Sequence, residues 1–318
     1  MAVRIRSLLL LLVLLALALI IAIWPHIVAY GVQYSLKSAR SPRFNPVWTG
    51  MKGTWQGVHI DSVDTLLIVP TDGKTAIKSV PVKLSLQNVW VKPSILSALL
   101  NQQALGFSAE IFGGSISGSL SSVLGEPSAS IAASGIDLSQ LALFPEVRAT
   151  GIRTGTIEGT ASMSKIVPGE IPDSTFSVSL RDFTLPPNQL TSILKLDPSE
   201  KAQVMVSGST SRDAISVESL TIQSSLGKIR LKGTAVGRIG QRIERVEATT
   251  GVELTQHGVE ALGAWLPLVT NNSIASNTTN FTVRTTTAAC SGKSLYALQL
   301  RNQTLCFSNQ FERGKAIF

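Results

Sequence analysis

The sequence reads as mainly β with short helices: an N-terminal transmembrane helix, then an elongated, curved antiparallel β-sheet built from strand–short helix–strand repeats. Three observations carry this. The chain opens with an apolar run. Its composition as a whole is poor in charge, at 15% Asp, Glu, Lys and Arg, and rich in Ser, Thr, Gly, Val, Leu and Ile. That composition suits many strands and turns. Finally, a phrase of strand, phase break and amphipathic turn recurs along the chain.

Arg4 and Arg6 precede a stretch from Ser7 to Ile23 without a charged residue. At 1.5 Å per helical residue such a stretch, continued to residue 29, spans a hydrocarbon core of roughly 30 Å. No Lys or Arg occurs after it until Lys37, so the basic bias favours a cytoplasmic N-terminus. Trp24 and Tyr30 stand where interfacial aromatics belong, and Pro25 kinks the exit. A cleaved leader has the same basic start and apolar run. Against it, the run is long, and its one small-x-small triplet, Ala16-Leu17-Ala18, lies inside it rather than after it. The expected organisation is a tip over 1–6, an anchor over 7–29, a stalk over 30–46 and an exported β-rich domain over 47–318.

The segments Val82–Leu100 and Phe176–Leu194 align without a gap. Val82, Leu84 and Leu86 alternate with polar residues, as do Phe176, Val178 and Leu180, giving half-buried strands. Both then insert one polar position, at Gln87-Asn88 and Arg181-Asp182, before Val89 and Phe183. A shift of one residue in a period of two predicts a bulge or tight turn at each. Proline comes next, at Pro93 and at Pro186-Pro187, where a helix can start. Leu96 and Leu99, and in the second copy Leu190 and Ile193, then share a helix face. The inward-packing candidates are therefore Leu84, Leu86, Leu96, Leu99, Val178, Leu180, Leu190 and Ile193, which would form a core or line a groove. Two looser copies begin at Ile136-Asp137-Leu138, with Asp137 as cap, and at Val252-Glu253-Leu254, with Thr255 as cap and Pro267 as the stop. Such units bury their apolar faces only by stacking or by sharing a sheet.

Cys290 and Cys306 are the only cysteines. In an oxidising compartment they read as a disulfide tying down a C-terminal hairpin, worth about 3 kcal/mol in the chain-entropy model. The formal charge of +8 is spread over single basic residues and short clusters. A nucleic-acid site wants a basic stripe with interleaved aromatics, so no nucleic-acid partner is expected. The three histidines have no second ligand at metal spacing, and no H-E-x-x-H or G-x-S-x-G occurs. No cofactor, metal or catalytic residue is assigned, and the chain is not read as an enzyme.

The phrase Leu84-Ser85-Leu86-Gln87-Asn88-Val89-Trp90-Val91-Lys92-Pro93, then Ile111-Phe112-Gly113-Gly114-Ser115-Ile116 and Gly135-Ile136-Asp137-Leu138, resembles the N protein of the bacterial type II secretion system (GspN). The style is also similar to AsmA-like envelope proteins. The resemblance covers roughly residues 1–270 and leaves out the tail with its cysteines. It implies a single-pass inner-membrane protein with its bulk in the periplasm, partnered by other secretion-machine proteins. The AsmA-like likeness implies instead a groove for phospholipid acyl chains.

Overall fold

The computed structural model describes residues 23–38, 40, 45–70, 79–93, 103–123, 126–141, 154–165, 172–184, 200–211, 214–238, 242–270, 273–288, 296–300 and 303–313. The chain is mainly β and divides into two units, Met1–Gly125 and Glu126–Phe318.

In the first unit a helix, α1 (23–38), precedes β1 (Val47–Thr49), β2 (Lys52–Thr54), β3 (Gly57–Pro70), β4 (Ser79–Pro93), β5 (Gln103–Ile111) and β6 (Gly114–Val123). Strands β3 to β6 pair in sequence order, all antiparallel. The short β1 and β2 share the other edge of β3. Direct partners in an antiparallel pair lie on the same side of the sheet. Ile60 opposes Val89 and Val58 opposes Val91, so one face is apolar. That face holds the buried cluster of Val58, Ile60, Val63, Val89 and Ala109. Val28, Ala29, Val32 and Leu36 of α1 pack on it, at the i, i+4 and i+8 spacing of one helix side. The expected stalk over 30–46 therefore begins as helix, and its packing ties it to the sheet.

The second unit runs β7 (Glu126–Asp137), α2 (Leu138–Leu141), β8 (Thr156–Ser164), β9 (Asp173–Thr184), β10 (Lys201–Ser211), β11 (Ala214–Ser224), β12 (Gly227–Arg238) and β13 (Arg242–Leu254). It continues with α3 (Gln256–Leu262), α4 (Leu266–Val269), β14 (Asn280–Ala288), β15 (Tyr296–Leu300) and β16 (Gln303–Arg313). Pairing is antiparallel and sequential from β7 to β14, after which β16 lies between β14 and β15.

The phase breaks in the sequence are bulges. Between β4 and β5 the register shifts at Gln87/Trp90, and Asn88 has φ +48. Between β9 and β10 it shifts at Ala202/Val204, and Asp182 has φ +53. A third lies in β7, with a shift at Ala133/Ile136 and Gly135 at φ +64. Each left-handed residue is followed by a buried apolar one: Val89, Phe183 and Ile136. The bulge absorbs the extra residue, so Leu86 and Val89 reach the same cluster although three positions apart. In the fourth copy β12 and β13 stay in register through Val252 and Glu253, so it has the cap without the bulge.

Both expected caps are present. Asp137 Oδ1 accepts the Ser139 N–H at 2.8 Å, and Thr255 Oγ1 accepts the Gly258 N–H at 3.0 Å. Pro267 does not act as a stop. It lies at the start of α4, where a missing N–H costs nothing.

Candidate binding surface

Cross-strand register carries the apolar face through the second unit. Starting at β7, direct partners Ile136, Ile157, Leu180 and Val204 lie in one row. The row continues unbroken through Ile222, Ile229, Val252 and Phe281 on β11 to β14. A parallel row two residues along holds Val178, Val206, Leu220 and Leu231. The opposite face is as consistently polar. Ser162, Thr175, Ser209 and Ser216 are successive partners there, followed by Thr234, Glu247, Thr286 and Ser308. A single bulge on β11, where Glu218 is the extra residue opposite Ser207-Gly208 of β10 and between Val217 and Leu220, which pair with β12, keeps the two faces in phase.

Coverage of the apolar face varies along the row. At one end Phe281 is buried with Leu266 and Ile274, where α4 and the residues after it pack on β13, β14 and β16. In the middle, Val178 and Ile229 remain 39% and 37% exposed. Ile131 and Met163, which flank the same face, are also exposed. The apolar side of this amphipathic sheet is thus only partly covered among the described residues.

The polar face carries cross-strand ion pairs at ordinary surface positions, among them Arg181–Glu158 at 3.2 Å and Lys201–Asp182 at 3.7 Å. It also bears a depression of about 520 Å³ over β11 to β14, ringed by Glu218, Lys232, Glu247 and Arg284. Hydroxyls of Ser216, Thr234, Thr249 and Thr286 complete its lining. Glu218 reaches it from the β11 bulge. In the first unit His59 packs against Trp90 with ring centroids 4.7 Å apart and the planes tilted by 50°, and Lys92 lies over the same indole. Hydrogen bonds from Ser139 hold the Asp137 carboxyl below the usual carboxylate range. The Ser85 hydroxyl does the same for Asp64. Among the described residues no three His, Cys, Asp or Glu side chains converge as metal ligands.

Several sequence-selected residues take these positions. Leu86 packs against the first unit's core, Leu84 is half-buried beside it, and Leu180 lies in the apolar row. Val178 lies on the apolar face opposite Gly159 and Val206 and is 39% exposed, so it lines that face and is not part of a buried cluster. Leu96, Leu99, Leu190 and Ile193 lie outside the described residues, as do Arg4 and Arg6. Trp24 is half-buried on α1 and Tyr30 is 70% exposed. Cys306 is buried in β16 and carries no free thiol, while Cys290 lies outside the described residues. The anchor over 7–29 lies mostly outside them too, and no described helix is long and apolar enough to cross a membrane.

Sequence reasoning missed the register that joins single strands into one face, because it is set by partners far along the chain. A readable signal did exist in glycine. Gly57 and Gly227 open β3 and β12 at φ +141 and +146. A Cβ on either would meet a backbone oxygen of the next strand, Val91 or Glu253, at 2.1 Å. Each therefore marks a turn after which a strand begins.

No family model, curated protein or solved structure matches the chain.

Proposed function

We propose that the protein is a non-enzymatic, membrane-anchored envelope component that works by binding through its amphipathic sheet. Its role is assembly or interaction in type II secretion, as its likeness to the N protein of that system implies. The anchor lies in the inner membrane, and the β-rich bulk is periplasmic. The observation supporting a binding role is the open apolar row, with Val178 and Ile229 at its centre. Sheet edges add a second means of holding a partner, since a foreign strand can pair with them.

A groove for phospholipid acyl chains is the second reading. It is favoured by the length of the row, which offers branched side chains on consecutive strands without a polar interruption. Mass spectrometry of the detergent-extracted full chain, with and without Val178→Asp, separates the two. Secretion-machine proteins that co-purify with the native chain and are lost from the variant support the assembly role. Near-stoichiometric phospholipid lost from the variant, without such proteins, replaces it with lipid handling. Binding of either kind that persists undiminished in a folded variant overturns the apolar face as the working surface.

A further inference from the structure

Helix α1 is apolar on two sides, and among the described residues only one of them packs on a buried cluster. Val28, Ala29, Val32 and Leu36 face the sheet. Ile23, Ile27, Tyr30 and Tyr34 form a second stripe, spaced four, three and four residues apart, and are 42%, 58%, 70% and 65% exposed. That spacing keeps them on one side of the helix. The first turn of α1 is held tightly against the sheet edge: a Cβ on Gly53 would lie 2.1 Å from the Pro25 carbonyl oxygen. This contact places the β2–β3 turn beside the start of the helix, and that turn carries Trp55, 55% exposed.

We infer that α1 lies along the bilayer surface, with Ile23, Ile27, Tyr30 and Tyr34 in the headgroup–acyl boundary and Trp55 as a second contact. The inference rests on the membrane-anchor reading, with the span over Ser7–Trp24 ending at Pro25 instead of at residue 29. Continuity identifies the occupant, because the uncharged run from Ser7 leads directly into the stripe. Residue chemistry agrees, as Tyr and Trp prefer the interface and the exposed Lys37 and Lys52 suit anionic headgroups. The length of the stripe sets the orientation. From Ile23 to Tyr34 the axis rises about 16 Å, whereas surface-lying helices bury their apolar side only about 5–10 Å deep. A helix continuing straight out of the membrane would leave Tyr34 in water. One lying flat keeps every residue of the stripe in the boundary. Pro25 lies where the chain has to turn, and proline is the usual cause of a sharp bend.

The tryptophans allow a direct test. The full chain is reconstituted into phosphatidylethanolamine–phosphatidylglycerol vesicles whose acyl chains carry bromine near the headgroup, and quenching of tryptophan emission is measured. Trp24 and Trp55 are two of five tryptophans, so about two-fifths of the emission is expected to be quenchable. Trp55→Phe should lower that fraction to about one-quarter, while Trp90→Phe and Trp265→Phe should not reduce it. Ile27→Asp with Tyr34→Asp should lower the Trp55 contribution at least about twofold and leave that of Trp24. Quenching abolished by Trp24→Phe and untouched by Trp55→Phe overturns the surface-lying helix while keeping the anchor. No quenching in any form overturns the anchor and the inference with it.

Discussion

Asn88 and Asp182 show how one residue places many others. Each occupies the left-handed region at the bulge of its strand, where Asn and Asp are among the few tolerated side chains. Asn88 also donates its Nδ2–H to Glu110 Oε1 at 2.9 Å. A β-branched residue there meets the steric penalty directly. Asn88→Val and Asp182→Val are each expected to lower stability by about 1–2 kcal/mol, whereas the glycine variants should stay within about 1 kcal/mol of the native chain. Urea unfolding of the detergent-solubilised chain checks both. Asp137 gives a prediction in pH. Its folded pKa is depressed by hydrogen bonds from Ser139, so its cap contribution is present above the usual carboxylate range and is lost as pH falls through the lowered folded value. Asp137→Ala should cost about 0.5–1 kcal/mol near neutral pH, the low end for a cap at an exposed site. The deficit should shrink in acid, and a gap that widens there would contradict the assignment.

At the scale of elements, the sequence is most legible where the signal is local. The alternation through Leu84 and Leu86, its break at Gln87-Asn88 and the cap at Thr255 each depend on neighbours a few residues away. Each appears in the structure as a strand, a bulge and a helix start. Pro267 is ambiguous in the sequence because proline suits the first turn of a new helix as well as the end of an old one. The packing of α1 is not legible at all. Its residues have the composition of a membrane exit, and only packing against the buried cluster of the first unit shows one side to be core. That contact depends on Gly53, where any side chain collides with the Pro25 carbonyl. Gly53→Val is therefore expected to loosen α1 and to speed hydrogen exchange of its backbone amides at least about tenfold, corresponding to roughly 1.4 kcal/mol of local stability. Exchange over β10 to β12 should be unchanged, and equal loosening in both units would mean that α1 is not held at this point.

For the whole molecule, the question is what an apolar residue in this sheet is for. Leu86 and Val178 both belong to the alternating apolar strands of the sequence repeat, yet Leu86 packs against a buried cluster while Val178 is 39% exposed. No periodicity separates them, because coverage is decided by α1 over one face and by bare neighbours around the other. Their energetic roles should differ accordingly. A carboxylate at Ile60, which is 1% exposed, loses the apolar burial and leaves a charge without water, a cost of at least about 3–4 kcal/mol that should prevent stable folding. A carboxylate at Val178 or Ile229 remains hydrated and should cost no more than about 1 kcal/mol. The same change interrupts the apolar row at its open centre. Val178→Asp and Ile229→Asp are therefore expected to retain the native circular dichroism spectrum and nearly the native unfolding midpoint. Both should lose most of the fluorescence enhancement of a polyene fatty-acid probe, or most of the cross-linking to protein partners, whichever the native chain displays. Variants that unfold like Ile60→Asp would make these residues core and remove the reason for reading the face as a binding surface. Variants that fold and still bind would move the working surface to the polar side, where Glu218, Lys232, Glu247 and Arg284 ring the depression.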